Sequence, residues 1–231
     1  MEKPPETVAL AGNPNTGKTT LFNALCGAVE KVGNYAGATV SVRRGQCYTP
    51  HGRKLEIIDL PGCYALAGGS PDQRIASDVL LGQHEKHPRP DLVVCVLDAS
   101  HLERHLQLAL EIIELGVPVI LALNMVDMAE KSGLRLDPVK LSEELGVPVV
   151  PIQADRGKGL VELKQAMGHP LPAVPEPLWE KGDAASRTRF GLAAAELAAR
   201  RPTLHSSNPS DRLDTVLLHP VFGWVCFIGI M

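Results

Sequence analysis

The sequence predicts an α/β fold in which helices cover both faces of a doubly wound, mostly parallel sheet of six strands. Three observations lead to this prediction. Short apolar runs alternate with helical patterns, the runs at residues 92–97 and 117–123 are apolar almost throughout, and polar residues follow directly where the runs end. Uninterrupted apolar runs are typical of strands buried on both faces. Alternation of strands with helices is typical of parallel sheets.

The individual elements follow from apolar periodicity and from turn residues. Strands are predicted at residues 8–11, 40–48, 53–58, 92–97, 117–123 and 147–152. Helices are predicted to begin at residue 21 and to cover residues 72–82, 102–115, 138–145, 159–167 and 184–201. Residues 27–39 carry turn residues with little periodicity and are predicted to form a loop.

Composition limits the classes of function. The 231 residues suffice for one full α/β domain and a smaller appendage. The net charge of −3, without a long basic run, does not indicate a nucleic-acid surface. The five cysteines are scattered without a C-x-x-C pair, which favours a reducing compartment over a disulfide framework or a zinc ribbon.

A phosphate-binding loop is predicted between the first strand and the first helix, where the sequence fits G-x-x-x-x-G-K-[ST]. Backbone N–H groups of such a turn, with the positive end of the following helix, hold phosphates. The residues predicted to surround the nucleotide here are Gly12, Asn13, Pro14, Asn15, Thr16, Gly17, Lys18, Thr19 and Thr20. Lys18 would reach the β- and γ-phosphates and Thr19 would bind Mg²⁺. The alternative is a glycine turn without a ligand.

A second motif, D-x-x-G, comprises Asp59, Leu60, Pro61 and Gly62 at the end of a predicted strand. Its carboxylate is predicted to lie near Mg²⁺ and its glycine N–H to meet the γ-phosphate. In the loop Gly37-Ala38-Thr39, the threonine is placed to complete the Mg²⁺ shell, unless it merely begins a strand.

A third motif, N-x-x-D, begins at Asn124 and Met125 and ends at Asp127. Asp127 can accept hydrogen bonds from guanine N1–H and the exocyclic amine, which adenine does not supply, and Asn124 would brace the phosphate loop. A helix cap is the alternative role for either side chain. The loop Gln153-Ala154-Asp155 is predicted to contact the base, with Ala154 N–H meeting guanine O6.

The phosphate loop and the residues Asp59, Asn124 and Gln153 all follow predicted strands, and ligands of doubly wound sheets bind beyond the carboxyl ends of strands. The sheet and the motifs together predict a Ras-like P-loop GTPase fold at residues 1–168. Residues 169–209 are predicted as a proline-rich linker and a short helical appendage. Residues 210–231 are predicted as a juxtamembrane segment and the truncated start of a membrane helix, because the sequence stops within the uncharged run 221–231, which is shorter than the ~20 residues that cross a bilayer. The alternative for this run is a core strand or a surface-packed helix.

These motifs resemble those of the ferrous iron transport protein B (FeoB) family. The resemblance is carried by residues 12–23, 37–40, 59–64 and 124–127, and residues 211–220 resemble that family's approach to its first membrane helix. It implies a GTPase domain on the cytoplasmic side of a bacterial inner membrane, acting as a nucleotide switch for the absent iron permease. The resemblance implies that the domain binds a guanine nucleotide, GTP or GDP, together with Mg²⁺. It also implies a small cytosolic accessory protein as a partner and no nucleic-acid partner.

The chain departs from the family pattern at two places. Gln153 replaces the usual serine of the last base-contacting loop, which predicts weakened base anchoring and fast GDP release. The helical region is shortened, and an apolar face left uncovered would favour a homo-oligomer or a segment-exchanged dimer.

Hydrolysis is predicted to be slow and K⁺-stimulated. Cys63 stands where many related GTPases carry a water-orienting glutamine. The resemblance implies instead a K⁺ ion held by Asn15 and by carbonyls of the switch loop; otherwise Asn15 simply forms a turn. Asn15, Lys18, Gly62 and Thr39 are therefore the expected catalytic residues.

Two other classes of function remain open on the sequence: an RNA- or ribosome-assembly GTPase, and a nucleotide-binding interaction module with negligible turnover. The apolar tail disfavours the first, and Cys63 favours the second. The pairs His101/His105 and His84/His87 are predicted to lie on solvated faces rather than to bind metal.

Overall fold

A seven-stranded sheet is the centre of the computed structural model, which describes residues 7–27, 31–34, 41–84, 87–168 and 170–200. The strands, in chain order, are β1 (Thr7–Gly12), β2 (Lys31–Asn34), β3 (Ser41–Tyr48), β4 (Lys54–Asp59), β5 (Leu92–Asp98), β6 (Val119–Asn124), β7 (Arg135–Leu136), β8 (Val149–Pro151) and β9 (Ala199–Arg200). The helices are α1 (Lys18–Cys26), α2 (Pro71–Leu81), α3 (Leu102–Glu114), α4 (Val126–Lys131), α5 (Pro138–Leu145), α6 (Leu160–Gly168) and α7 (Ala184–Ala198).

The sheet is doubly wound, with the strand order β2-β3-β4-β1-β5-β6-β8. β4, β1, β5, β6 and β8 pair in parallel, whereas β2 and β3 are antiparallel additions at one edge. All six predicted strands are present, which confirms the predicted α/β fold. The parallel order places the ends of β1, β4, β5 and β6 on one edge of the sheet.

β2 corrects the prediction of a continuous loop at residues 27–39. Residues 31–34 pair antiparallel with the beginning of β3. This four-residue strand has too few side chains to show a period of two, so its existence depends on the hydrogen-bonding edge that β3 offers.

Two apolar cores lie on opposite faces of the sheet, and β5 contributes to both. Val93, Cys95 and Leu97 face the core that contains residues of α2, α3, α5 and α7. Val94 and Val96 face the core built with α1 and α6. Alternation of side chains across a strand that is buried on both faces explains why the run is apolar throughout.

The segment after α6 packs against the rest of the described chain. Trp179 is buried in the larger core, and its ring lies 4.9 Å from that of Phe190 on α7. α7 also contributes Ala194, Ala195 and Ala198 to that core. It ends at Ala198, because Ala199 turns to an extended conformation and pairs with β7, so the predicted end at residue 201 is too late.

The predicted juxtamembrane and membrane segment at residues 210–231 lies outside the described residues. Among the residues that are described, no helix has the length and apolar character needed to cross a bilayer.

Candidate functional site

The loop between β1 and α1 has the backbone shape that a phosphate cradle needs. Asn15 and Gly17 adopt positive φ angles of 67° and 83°. A Cβ atom on Gly17 would lie 2.4 Å from Asn124 Nδ2, so only glycine fits. A cavity of about 470 Å³ opens beside this loop. Its lining residues are Asn13, Pro14, Asn15, Gly17, Lys18, Thr19, Thr20, Gly62 and Asp72.

Lys18, which lines this cavity, meets an opposite charge from another motif. Lys18 Nζ forms an ion pair with Asp59 Oδ1, and both residues are buried. Lys18 begins α1 and Asp59 ends β4, so the topology of the sheet brings the two motifs together as predicted. A cation suited to phosphate and a carboxylate suited to Mg²⁺ therefore lie side by side.

The D-x-x-G segment lies against the phosphate loop. Leu60 N–H donates to Leu10 O at 3.0 Å, and Cys63 N–H donates to Gly12 O at 3.4 Å. A Cβ atom on Gly62 would lie 3.3 Å from Pro14 Cα and N, which explains the glycine. Pro61, which lies between Leu60 and Gly62, is partly buried.

Asn124, at the end of β6, links three of the predicted loops. Its Nδ2 donates to Thr16 O at 2.9 Å, and its Oδ1 accepts from Ala154 N–H at 3.1 Å. The side chain is buried, so both bonds form away from water. The phosphate loop, the N-x-x-D motif and the loop after β8 are thereby held in one arrangement.

The candidate base-contacting residues lie on either side of Asn124. Met125 has a φ angle of 60° and precedes α4, whose first turn carries Asp127. Asp127 Oδ2 lies 3.5 Å from Lys131 Nζ one turn later, a pairing that the i, i+4 spacing signals. Ala154 N–H donates to Asn124 Oδ1, and its contact with guanine O6 stays a prediction. Asp155 is exposed next to Arg156, 3.8 Å away.

Two buried polar groups at the site have no hydrogen-bond partner among the described residues. They are the side-chain amide of Asn13, which is 1% exposed, and Oε1 of Gln153. Such groups are costly to leave unpaired, so they mark places where a ligand or water supplies the missing bonds. Both residues belong to motifs predicted from the sequence, but nothing in the sequence indicates that their side chains are buried.

The donor set partly fits the predicted metals. Thr19 and Asp59 provide hydroxyl and carboxylate oxygens, the hard donors that Mg²⁺ prefers. Asn15 is exposed at the cavity, where its side-chain oxygen suits K⁺. Gly37, Ala38 and Thr39 lie outside the described residues, so these three predictions have no structural counterpart.

Cys63, at the position of the missing glutamine, is buried beneath the D-x-x-G segment. Burial raises the pKa of its thiol to about 11, and the Glu111 carboxylate adds to that rise. The group is therefore a neutral thiol at physiological pH and is a weak hydrogen-bond donor.

The predicted solvated faces of the histidine pairs need correction. His105 and His87 are both buried, whereas His101 is 68% exposed. His105 Nδ1 accepts from Asp98 N–H at 3.0 Å, and His87 Nδ1 lies 2.6 Å from an Arg44 guanidinium nitrogen. Within the described part of the chain, no three His, Cys, Asp or Glu side chains are grouped to hold a metal ion.

Comparisons with known proteins identify relatives of this chain. The family profile described as ferrous iron transport protein B matches residues 6–167. An Fe(2+) transporter FeoB of Leptospira biflexa is 46% identical over 159 residues, which cover 69% of this chain and 22% of that protein. An Fe(2+) transport protein A/FeoB fusion protein of Porphyromonas gingivalis is 48% identical over 116 residues, or 50% of this chain and 13% of the fusion. The chain thus spans about a fifth or less of the length of these relatives.

Solved structures show the same fold. The cytosolic domain of L. pneumophila FeoB is 42% identical, with a TM-score of 0.69 over 78% of this chain and 69% of that one. A variant of S. thermophilus NFeoB bound to GDP is 34% identical, with a TM-score of 0.68 over 83% of this chain and 81% of that one.

Proposed function

Because the chain belongs to the ferrous iron transport protein B family, we propose that it binds guanine nucleotides, hydrolyses GTP and serves as the nucleotide switch of a ferrous iron transporter. Its fold is that of the GTPase domain of that family. The observation that carries the proposal is the pair of hydrogen bonds by which Asn124 joins Thr16 to Ala154. These bonds bring the phosphate loop and the base-contacting loops to the same edge of the sheet.

Phosphate binding is assigned to the backbone of residues 12–19 and to Lys18. In the structure Lys18 is paired with Asp59, so a bound triphosphate would replace that partner and release the carboxylate toward Mg²⁺. Thr19 and Asp59 would hold Mg²⁺ together with Thr39, and the ion would neutralise charge that develops on the phosphates.

Base selection is assigned to Asp127. A carboxylate in this position would accept the two N–H donors of guanine, and a site built around such an acceptor can discriminate against adenine by up to ~10⁴-fold. Gln153 stands beside this site in place of the family's usual serine, and this replacement is the basis for the expected weak base anchoring and fast GDP release. A slow, tight GDP complex in stopped-flow measurements would contradict this part of the proposal.

Hydrolysis would depend on how the attacking water and the γ-phosphate are positioned and on how the negative charge of the phosphates is neutralised. Gly62 N–H would meet the γ-phosphate, and Asn15 would help to hold a K⁺ ion that supplies positive charge to the phosphates. The neutral, buried Cys63 supports the need for such a cation, because a thiol orients water poorly. Turnover is expected to be slow. Changes at residues 27–39 and 59–70 on hydrolysis would form the switch.

The relatives support a larger assembly of which this chain would be one domain. The membrane permease would lie in the part of the transporter that this chain does not span, with this domain on the cytoplasmic side of a bacterial inner membrane. The Porphyromonas gingivalis fusion supports a small accessory protein as partner. Residues 1–168 would be the GTPase domain, 169–209 the helical appendage and 210–231 the approach to the membrane, and the chain would self-associate through uncovered apolar surface.

Calorimetric titration with GTP, GDP and ATP in Mg²⁺ tests the proposal. We expect both guanine nucleotides to bind and ATP to bind at least ~100-fold more weakly. Equal affinity for ATP, or binding of neither nucleotide, would refute it.

Phosphate release in K⁺ and in Na⁺ tests turnover, and we expect a K⁺ stimulation that Asn15→Ala abolishes. GTP binding without phosphate release in K⁺ would favour an interaction module instead.

A further inference from the structure

The loop that follows the D-x-x-G motif is attached to α3 at two points. The Arg104 guanidinium lies 4.7 Å from the centre of the Tyr64 ring. Leu66 N–H donates to Glu111 Oε2 at 2.6 Å, a short bond to a charged acceptor. Arg104 and Glu111 lie two turns apart and so share one face of α3. The loop between Gly62 and α2 is therefore ordered by side chains that the nucleotide motifs do not include.

The carboxylate of Glu111 is shared with α7. Its Oε1 accepts from Arg187 Nη2 at 3.0 Å, while Arg187 Nη1 donates to Glu114 Oε2 at 2.9 Å. The three side chains are only 12–14% exposed, so these ion pairs are screened much less than surface pairs. One arginine of the appendage thus fixes two carboxylates of α3, and one of them holds the loop.

We propose that Glu111 is a positioning residue for GTP hydrolysis: it holds the loop after Gly62 in place, and Arg187 on α7 fixes Glu111 for that task. The proposal rests on the proposed function. Gly62 is the residue expected to meet the γ-phosphate, and Leu66 lies four residues after it. A shift of Leu66 therefore changes the placement of Gly62 and Cys63. The charge of Glu111 already acts on this loop, since it contributes to the raised pKa of Cys63.

Arg187 fixes the direction of the Glu111 carboxylate, which Glu111 alone does not do. Glu111 and Glu114 are one turn apart with like charges, which repel each other at this spacing. The guanidinium bridges the two carboxylates and sets the direction of each. Without it, Glu111 is free to turn toward solvent and to release Leu66 N–H. The appendage therefore acts on the nucleotide site through one ion pair.

Glu114 provides a matched control. It lies on the same face of α3, pairs with the same arginine and also accepts from Trp179 Nε1 at 2.5 Å, but its hydrogen bonds within the described part of the chain do not reach the loop. Glu111→Ala and Glu114→Ala each remove one carboxylate of the Arg187 bridge. Glu111→Ala also loses the bond to Leu66, whereas Glu114→Ala loses the bond to Trp179. A loss of loop protection confined to Glu111→Ala therefore reports on the anchor.

Hydrogen exchange of residues 63–70 in the full chain tests the anchor without any nucleotide. In Glu111→Ala we expect exchange at the Leu66 amide to accelerate by at least ~10-fold, because a hydrogen bond to a charged group is lost. Arg187→Gln should accelerate it as well, and Arg187→Lys should restore part of the protection. Unchanged exchange in Glu111→Ala, or equal acceleration in Glu114→Ala, would overturn the proposal.

Steady-state GTP hydrolysis in Mg²⁺ and K⁺ tests the role in the reaction. For Glu111→Ala we expect kcat to fall about 3- to 10-fold with KM within about 2-fold, because only the loop that meets the γ-phosphate has moved. Glu114→Ala should keep the wild-type kcat. Lost loop protection with unchanged kcat would overturn the positioning role. Failure of the proposed function can be told apart from failure of the positioning role. In the first case the wild-type chain itself would bind no GTP. The exchange experiment would still decide whether Glu111 anchors the loop.

Discussion

At the scale of single residues, the side chain with the greatest influence on the site is Asn124. It is buried and uses both ends of its amide to connect separate loops. The N-x-x-D spacing predicted its place beside the phosphate loop. The bond to Ala154 was not predicted, because a local pattern does not specify which of several nearby N–H groups a side-chain oxygen will accept from.

We expect Asn124→Asp to weaken GDP binding at least ~10-fold and to lower the free energy of unfolding by about 1–3 kcal/mol, because a carboxylate cannot donate to Thr16 O and would repel it. Calorimetry and urea denaturation measure the two effects. Ser132→Ala, which removes a hydroxyl bonded to Ala129 O outside the site, serves as the control. Unchanged GDP affinity in Asn124→Asp would show that the bridge does not shape the site.

His105 makes the stability of the fold depend on pH. Burial lowers the pKa of His105, and its Nδ1 accepts from Asp98 N–H, which a protonated nitrogen cannot do. The unfolded chain therefore binds this proton more readily than the folded chain. The contribution of His105 to stability is complete above its ordinary pKa of about 6.5 and is lost as the pH falls below it.

Urea denaturation at pH 7.5 and 5.5 should show this loss in the wild-type chain. His105→Leu should be less stable at pH 7.5, because Asp98 N–H loses its acceptor, and should show a smaller difference between the two pH values. His51→Gln, at an exposed site, should keep the wild-type difference. An undiminished pH difference in His105→Leu would assign the effect to another group.

At the scale of elements, the success of sequence prediction depends on length and burial. β5 and β6 are fully buried, so their apolar runs were unambiguous. The short elements β2, β7, β9 and α4 were not predicted. The three strands contain at most two periods of alternation and α4 contains less than two helical turns, so their partners in space decide whether these elements form.

The contact between α3 and α7 depends on a small residue. A Cβ atom on Gly191 would lie 3.0 Å from Leu110 Cδ1. We therefore expect Gly191→Leu to separate the helices and to destabilise the fold by about 1–3 kcal/mol, as overpacking of a core does. Ala193→Leu, on the exposed side of the same helix, should change the free energy of unfolding by less than ~0.5 kcal/mol. Equal effects of the two variants would contradict this close packing.

At the scale of the whole molecule, the structure relates the appendage to the GTPase fold more directly than the sequence did. The predicted boundary at residue 168 follows from the prolines after it, and it stays a prediction. Residues of α7 nevertheless belong to the same buried core as those of β5 and α3. Composition shows where a chain stiffens, but it does not show which surface the next helix will cover.

A fragment that ends at residue 168 should therefore unfold at a lower temperature than one that ends at residue 200. We expect a difference of at least ~5 °C, because removal of Trp179 and α7 exposes apolar surface on α3 and α5. The affinity for GDP should change little, because the Asn124 network lies before residue 168. Equal melting temperatures in calorimetry would show that the appendage does not stabilise the fold.

The two-stranded ribbon of β7 and β9 connects the end of the described chain to the segment after α4. Ala199 pairs with Leu136, and Arg200 pairs with Arg135, four residues after the end of the helix that carries Asp127. The last described residues are therefore joined by backbone pairing to the segment that follows the helix of Asp127. A chain cut before Ala199 would leave β7 without a partner among the described strands.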